Sequence, residues 1–467
     1  MKALHVIFIT LAFLLLASPA VLMPFFSDAV NTEKRELSEF PALYDGEWND
    51  DFSEELNTWV QEHIGLRNQM VSANSLLRSR LFGQSATETV IVGKDGWLYY
   101  SDTVNDYLHV RTLSERNVRC VVRTLAMLRD YAVEQGSAFV VALIPNKNSL
   151  YGDAMPWNYR PLPEENNLSL LTKALEEEGI RVAGAEEALR NEGRVLYQKT
   201  DSHWTYEGAL AGYRAIMEAS GMEYERFETL SFRDAQDWPA DLAVSLYGEA
   251  AQPEWQRYPD IDFTYEYTSR APAVDAITLT TAKEGGTGNL VMYRDSFANT
   301  MQVYFAESFE TACFSRALPY QAELIGRHQA DLTVLEIVER NLIHLAERAP
   351  LMPAPCVLLE ADAQVMPEES AQIFAEQSGS YLHLYGTIDE ALLGPEYRVF
   401  LLAEKDGETL AYEAFPIFEK ELLGNEKTGD NGWSLYLAED DVSGAALSLL
   451  ADTGGRALCI PLTMPQP

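Results

Sequence analysis

The 467-residue sequence predicts an α/β fold, a parallel sheet flanked by helices, followed by a C-terminal β-sandwich. Three observations carry that prediction. Apolar strand-like runs alternate with helical periodicity as far as residue 348. The stretch Arg348-Ala349-Pro350-Leu351-Met352-Pro353-Ala354-Pro355 then interrupts the pattern with three prolines, and short strand candidates separated by turn residues follow it. The organisation read from this is an N-terminal membrane anchor or signal segment over 1–29, an α/β domain over 30–348, a linker over 349–355 and an accessory β-sandwich domain over 356–467.

Taken in order, residues 6–26 are almost wholly apolar behind Lys2 and His5, long enough for a membrane helix. The same run resembles a signal peptide, with Ala17-Ser18-Pro19-Ala20 as a small-residue processing candidate. Either way, the rest of the chain is expected outside the cytoplasm, anchored or secreted. Val90-Ile91-Val92 and Leu98-Tyr99-Tyr100 read as short strands about an Asp95-Gly96 turn. A helical pattern over 113–135 feeds the continuous apolar run Ala138 to Ile144, which suits an inner strand of a parallel sheet. A helix from Leu168 to Gly179 precedes Ile180-Arg181-Val182. Asn289 to Tyr293 forms another central strand, and a helix follows from Phe297 to Phe309. In the last segment, runs at 381–386, 397–403, 434–437 and 457–462 are the strand candidates. Trp433, Tyr385 and Tyr412 are its weak candidates for glycan contact, against an ordinary role in the sandwich core.

The formal net charge is −36, from 71 acidic and 35 basic residues. Such a surface repels nucleic acid and offers no basic patch to an anionic lipid headgroup. The four cysteines are too few for a disulfide-built fold, although Cys356 and Cys459 could pair across the last domain. No cysteine lies in a CxxC, and no cofactor motif or phosphate loop is present.

Two segments carry chemistry: Thr200-Asp201-Ser202-His203-Trp204-Thr205 and Tyr293-Arg294-Asp295-Ser296-Phe297. Ser296 falls at a strand-to-helix turn, where helix N–H groups could stabilise an oxyanion. The bland alternative is that Ser296 or Asp295 merely caps the helix. Thr205 is a plausible N-cap for a helix with Ala209, Tyr213, Ile216 and Met217 on one face, so His203 lies on the connection before it. Asp201 could orient the His203 imidazole, leaving its other nitrogen to take the proton of Ser296. Competing roles for the pair are metal ligation, for which no further ligand is evident, and a structural bond beneath Trp204. Arg294 and Lys147, at predicted strand ends, are candidates for positioning substrate. Glu339 and Arg340 are expected to brace the fold as a charge pair, and Gly288 and Asn289 to lie at the far end of the nucleophile strand.

With these motifs in place the chain resembles the SGNH-hydrolase-like proteins that include the alginate O-acetyltransferases and the proteins named for a DHHW motif. Val92 to Tyr100, Ile144-Pro145-Asn146-Lys147, Leu335 to Arg340, and the entry Asn31 to Leu37 with Phe40-Pro41 are similar to further family signatures, so the resemblance spans roughly 30–345. Ser202 stands where the DHHW form has a second histidine. The resemblance implies a catalytic domain with Ser296 as nucleophile, His203 as general base and acid, and Asp201 as its orienting carboxylate. It also implies acyl transfer to a cell-surface or exported polysaccharide, with a separate multi-pass membrane acyltransferase as acyl donor; from the residues themselves no cofactor or metal is expected. A carbohydrate acetylesterase with the same triad and a silent glycan-binding surface protein are the alternatives. The acidic surface makes a neutral or cationic acceptor easier than a strongly anionic one.

Overall fold

The run Ala138-Phe139-Val140-Val141-Ala142-Leu143-Ile144 carries apolar side chains on both faces of its pleat, so both faces must be covered. In the computed structural model this run is strand β1 (Ala138–Ile144) of a seven-stranded sheet. The structure describes residues 2–26, 38–44, 46, 48–110, 112–269, 276–359, 362–405, 407–419, 429–453 and 455–463. The expected signature at Asn31 to Leu37 lies outside them. The remaining strands are β2 (Arg181–Val182), β3 (Glu266–Tyr267), β4 (Thr278–Ala282), β5 (Asn289–Tyr293), β6 (Thr311–Ser315) and β7 (Leu332–Val338). Their order is β2-β1-β7-β5-β6-β4-β3. The first five run parallel, and β4 and β3 close the edge antiparallel.

Helices cover both faces, as the alternation requires. On one, α1 (Glu115–Glu134) and α2 (Asn167–Glu177) place Val121, Leu125, Leu171 and Leu175 against Val141, Leu143, Val291, Tyr293 and Leu335. On the other, α3 (Tyr206–Ser220) and α4 (Ala298–Ser308) place Tyr213, Ile216, Met301 and Phe305 against Val140, Ala142, Leu290, Met292 and Val334. Residues 140 to 143 thus alternate between the two cores, the period of two expected of a strand.

Beyond residue 355, nine strands join in one hydrogen-bonded sheet. Glu408–Glu419 folds it over: Glu408 to Ala414 pair with Arg398–Lys405, and Phe415 onward with Gly429–Leu437. The two layers enclose one core, with Leu384, Trp433 and Leu435 facing Val399, Leu401, Leu449 and Ile460. Trp433 and Tyr412 are buried there and Tyr385 is half-buried. Cys356 and Cys459 are free thiols, so the pairing that they could have made across the last domain is not formed. Their strands lie against different partners, Tyr412 beside Cys356 and Leu450 beside Cys459.

Residues 349–355 are hydrogen-bonded to both sides. Leu351 N–H donates to Tyr320 at 2.8 Å, Ala354 N–H to Tyr436 at 2.8 Å, and Glu413 N–H to Pro355 at 3.0 Å. Phe415, Ile417 and Tyr436 share the α1-side core. Glu413, 1% exposed, receives two hydrogen bonds from Arg123 of α1 (2.7 and 2.5 Å) and two from Arg398 (2.9 and 2.7 Å). Burial opposes its charge, and the two guanidiniums outweigh burial to hold its carboxyl below the usual range.

Lys2–Phe26 forms one helix of 25 residues. Several of its side chains lie outside the described residues, and among the described residues no helix is long and apolar enough to cross a membrane.

Candidate active site

The carboxyl end of β5 delivers the first group. After Tyr293 the chain leaves the sheet and turns at Asp295 and Ser296 into α4, the crevice position where open parallel sheets bind ligands. The Asp295 carboxylate sets this turn by accepting from Phe297 N–H (2.9 Å), Val338 N–H (2.8 Å) and the Asn341 amide (3.1 Å). Asp295 thus holds the turn ahead of α4, and the Ser296 hydroxyl is left to face His203. Among the described residues the Ser296 N–H has no acceptor, so it is available to a developing oxyanion. The Phe297 N–H is already engaged. Asn289 opens β5 and donates from its N–H to Asp331, at the end away from Ser296.

The loop before α3 delivers the other two. Tyr197 and Trp204 form an isolated antiparallel bridge that pinches residues 198–203 into a tight loop, and the Thr205 hydroxyl caps α3 by accepting from Gly208 N–H at 3.1 Å. Trp204 is wholly buried and donates from Nε1 to Phe297 O at 2.8 Å, tying this loop to the Ser296 turn. Its ring lies so close to α3 that a Cβ at Gly212 would meet it at 2.7 Å, which requires glycine there.

The three groups meet in line. His203 Nε2 is 2.9 Å from Ser296 Oγ, and His203 Nδ1 is 2.8 Å from Asp201 Oδ1. Asp201, 3% exposed, also accepts from His203 N–H (2.8 Å), Trp238 Nε1 (3.0 Å) and Asp241 N–H (2.9 Å). Burial opposes its charge, and the imidazole and N–H donors outweigh burial, keeping its carboxyl below the usual range.

Asp241 and Trp238 were not read from the sequence. Asp241 opens the short helix Asp241–Tyr247 in the connection between the paired strands Phe232–Trp238 and Glu254–Pro259, and accepts from Ser202 N–H (2.7 Å) and Ser202 Oγ (2.5 Å). Its Oδ2 stands 3.5 Å from His203 Nδ1, and burial, then the Asp201 charge, pushes its carboxyl up. The available signal was an acidic residue following Trp238-Pro239-Ala240 at the head of an apolar run. Asp201, His203 and Asp241 place donor atoms within 4.8 Å of one another, the third ligand the sequence did not reveal. Both Asp201 oxygens, however, already accept N–H donors, and His203 Nε2 faces Ser296, so the set fits a proton relay rather than a metal.

The structure reassigns four charged residues. Lys147 does not face the site: it is 4% exposed and its Nζ donates to the carbonyls of Gln198 (3.2 Å), Lys199 (3.2 Å) and Asp201 (2.7 Å). Burial brings its pKa down to about 8. Arg294 is also buried, and its Nη1 donates to Asn299 Oδ1 at 2.7 Å and Asp295 O at 3.1 Å, bracing the start of α4. Glu339 and Arg340 do not pair. Glu339 points inward, accepting from Asn146 N–H (2.8 Å) and Ser149 Oγ (2.5 Å). Arg340 lies over Phe297 (5.3 Å) and Tyr100 (5.7 Å), and among the described residues its guanidinium has no hydrogen bond or ion pair. Phe297 in turn packs on His203, their rings 5.0 Å apart, so a partly exposed cation stands next to the relay.

A doubly covered parallel sheet thus carries a serine, a histidine and an aspartate in hydrogen-bonded sequence at its carboxyl end, the arrangement of groups found in serine hydrolases and acyltransferases. Residues 90–281 match the family model described as SGNH hydrolase-like domain, acetyltransferase AlgX, the family that the motifs resemble. The match takes in Asp201 and His203 and ends before Ser296. No curated relative matches the sequence. Similar solved structures include PatB1 of Bacillus cereus with a sulfonyl adduct, at 20% identity over 54% of this chain and 95% of that one, with a TM-score of 0.44. A DHHW family protein from Eubacterium siraeum is 15% identical over 55% of this chain and 92% of that one, with a TM-score of 0.42. AlgX of Pseudomonas aeruginosa is 14% identical over 81% of this chain and 92% of that one, with a TM-score of 0.35. At these distances the neighbours do not bear on individual residues.

Proposed function

We propose that this protein is a serine-dependent O-acyltransferase, acting with acetyl groups on a cell-surface or exported polysaccharide. The observation that carries the reading is the unbroken relay from Asp201 through His203 to Ser296, with contacts of 2.8 and 2.9 Å. The family match over 90–281 supports acetyl chemistry.

In the first half-reaction His203 Nε2 takes the Ser296 proton as Oγ attacks the acyl carbonyl. The Ser296 N–H meets the oxyanion, and the imidazolium, held by Asp201, returns its proton to the departing group. The acyl group is then an ester on Ser296. In the second half-reaction a sugar hydroxyl gives its proton to His203 and attacks that ester, and the proton returns to Ser296 Oγ as the acylated sugar leaves. The acyl donor would be presented by a multi-pass membrane acyltransferase, with the N-terminal apolar run anchoring this chain beside it.

Carbohydrate esterase activity is the second reading, favoured by one feature. The His203 side chain is 22% exposed, so water can reach the group that would activate it. A fluorophosphonate probe and an acetyl-ester reporter test the nucleophile shared by both readings. Labelling and cleavage are expected from the native chain and absent from Ser296→Ala; equal signals from the two would remove Ser296 from the mechanism. Product analysis with candidate glycans separates transfer from hydrolysis.

A further inference from the structure

Helix Arg67–Phe82 is turned inside out. Its buried residues are Ser72, Ser75 and Ser79, facing the rest of the protein, whereas Met70, Val71, Leu77, Leu81 and Phe82 are exposed. At 3.6 residues per turn, Met70, Leu77 and Leu81 form one stripe directly opposite the buried serines. Leu77 is 54% and Leu81 68% exposed. A helix packed only by the hydrophobic effect would take the reverse orientation, since apolar area left in water forfeits the gain from burial.

Its charge is equally out of character. In a chain with 71 acidic and 35 basic residues, this helix holds Arg67, Arg78 and Arg80 and no acidic residue. Arg78 and Arg80 flank the stripe, one on each side, whereas Arg67 Nε donates to Gln61 O at 3.1 Å. Nearby acidic contact comes from Glu249, which accepts from the Asn68 and Gln69 amides at 3.2 and 3.0 Å. Past its end, Phe82, Arg78 and the exposed Trp157 line one cavity together with polar residues that include Glu88 and Lys94. Toward the N-terminus, exposed Phe40, Tyr44 and Trp48 lie between the helix and the apolar run ending at Phe26.

We infer that helix Arg67–Phe82 lies flat on a lipid bilayer, with Met70, Leu77 and Leu81 in the acyl boundary and Arg78 and Arg80 at the phosphate level. An apolar stripe bordered by arginines, with aromatic residues nearby, suits the boundary between acyl chains and headgroups, where long basic side chains reach outward to the phosphates. A bilayer also suits the position of the helix, downstream of the apolar run proposed above as the anchor. The inference rests on the anchored placement proposed above, and would fix the orientation of the protein on its membrane.

The test places a photoreactive benzoylphenylalanine at position 77, or at exposed Glu192 as control, in the full chain. The protein is reconstituted into vesicles of phosphatidylethanolamine and phosphatidylglycerol. Lipid adducts are expected from position 77 and not from 192. With the photoreactive group moved to Met70, Leu81→Glu should lower adduct yield by about tenfold while leaving ester cleavage unchanged. A chain that floats with the vesicles yet gives no lipid adduct at 77 overturns the inference and leaves the anchor standing. A chain that does not float overturns both. In whole cells, adducts at 77 to a protein instead of lipid overturn it in favour of a protein partner.

Discussion

Lys147 Nζ donates to the carbonyl oxygen of Asp201 at 2.7 Å, so the buried cation holds the backbone of the residue that orients His203. Two more donations, to Gln198 and Lys199, fix the same loop. Replacing Lys147 with Met fills the space and removes all three. We expect kcat/KM for ester cleavage to fall about 10- to 100-fold, as for roughly 1.4–2.7 kcal/mol of lost positioning. An unaltered rate in steady-state assays would show that the loop holds itself.

Asp201 and Asp241 both lie near His203 Nδ1, yet they should not be equivalent. Asp201 is in hydrogen-bond contact, whereas Asp241 stands at 3.5 Å and spends its oxygens on Ser202 and Leu242. Asp201→Asn should lower kcat by about 10³- to 10⁴-fold through the wrong tautomer, and Asp241→Asn by about tenfold or less. Comparable losses from the two substitutions, measured with the acetyl-ester reporter, would contradict the assigned hierarchy.

Arg340, over Phe297 and Tyr100 beside the relay, has donors to spare for a sugar acceptor. Arg340→Met is expected to raise KM for the acceptor about tenfold in transfer while leaving hydrolysis of a small acetyl ester nearly unchanged. Parallel loss in both assays would mean that the guanidinium serves the chemistry itself.

Glu339 gives a pH signature. Burial, against donors from Ser149 and Asn146, pushes its carboxyl up to about 7 from an ordinary 4.5. The folded state therefore keeps its proton where the unfolded chain releases it. The associated stability is fully present below pH 4.5 and is lost as pH rises toward 7, by roughly 3 kcal/mol in all. Thermal unfolding of Glu339→Gln should lack this component, so the native-minus-variant difference in Tm should shrink steadily from pH 4.5 to 7. A constant difference would place the Glu339 pKa near its ordinary value.

What the sequence revealed and what it concealed follow from the range of the signals. β1 and β5 were legible because strands buried on both faces need unbroken apolar runs. Thr205 was legible as a cap because its partner, Gly208, is three residues away. β4 and β6 were not: Thr278-Leu279-Thr280-Thr281-Ala282 and Thr311-Ala312-Cys313-Phe314-Ser315 lack such runs. Asp241 and Trp238 reach Asp201 only because a hairpin with a largely exposed face folds back over the loop, and no local pattern encodes that return. Lys147 and Arg294 were placed at strand ends but turn inward, since direction depends on carbonyls and amides contributed from elsewhere.

Glu413 takes one guanidinium from α1 and another from the C-terminal sheet, and the residues between the two regions are stitched to both. Tilting either side would strand a buried charge without its counter-ion, at a cost of about 3–5 kcal/mol. The C-terminal sheet is thus no swinging arm. For an enzyme working along a polymer, such a rigid attachment would act as a ruler: a strand touching the sheet would meet Ser296 at one fixed distance and bearing, and the spacing of modified sugars would record that length.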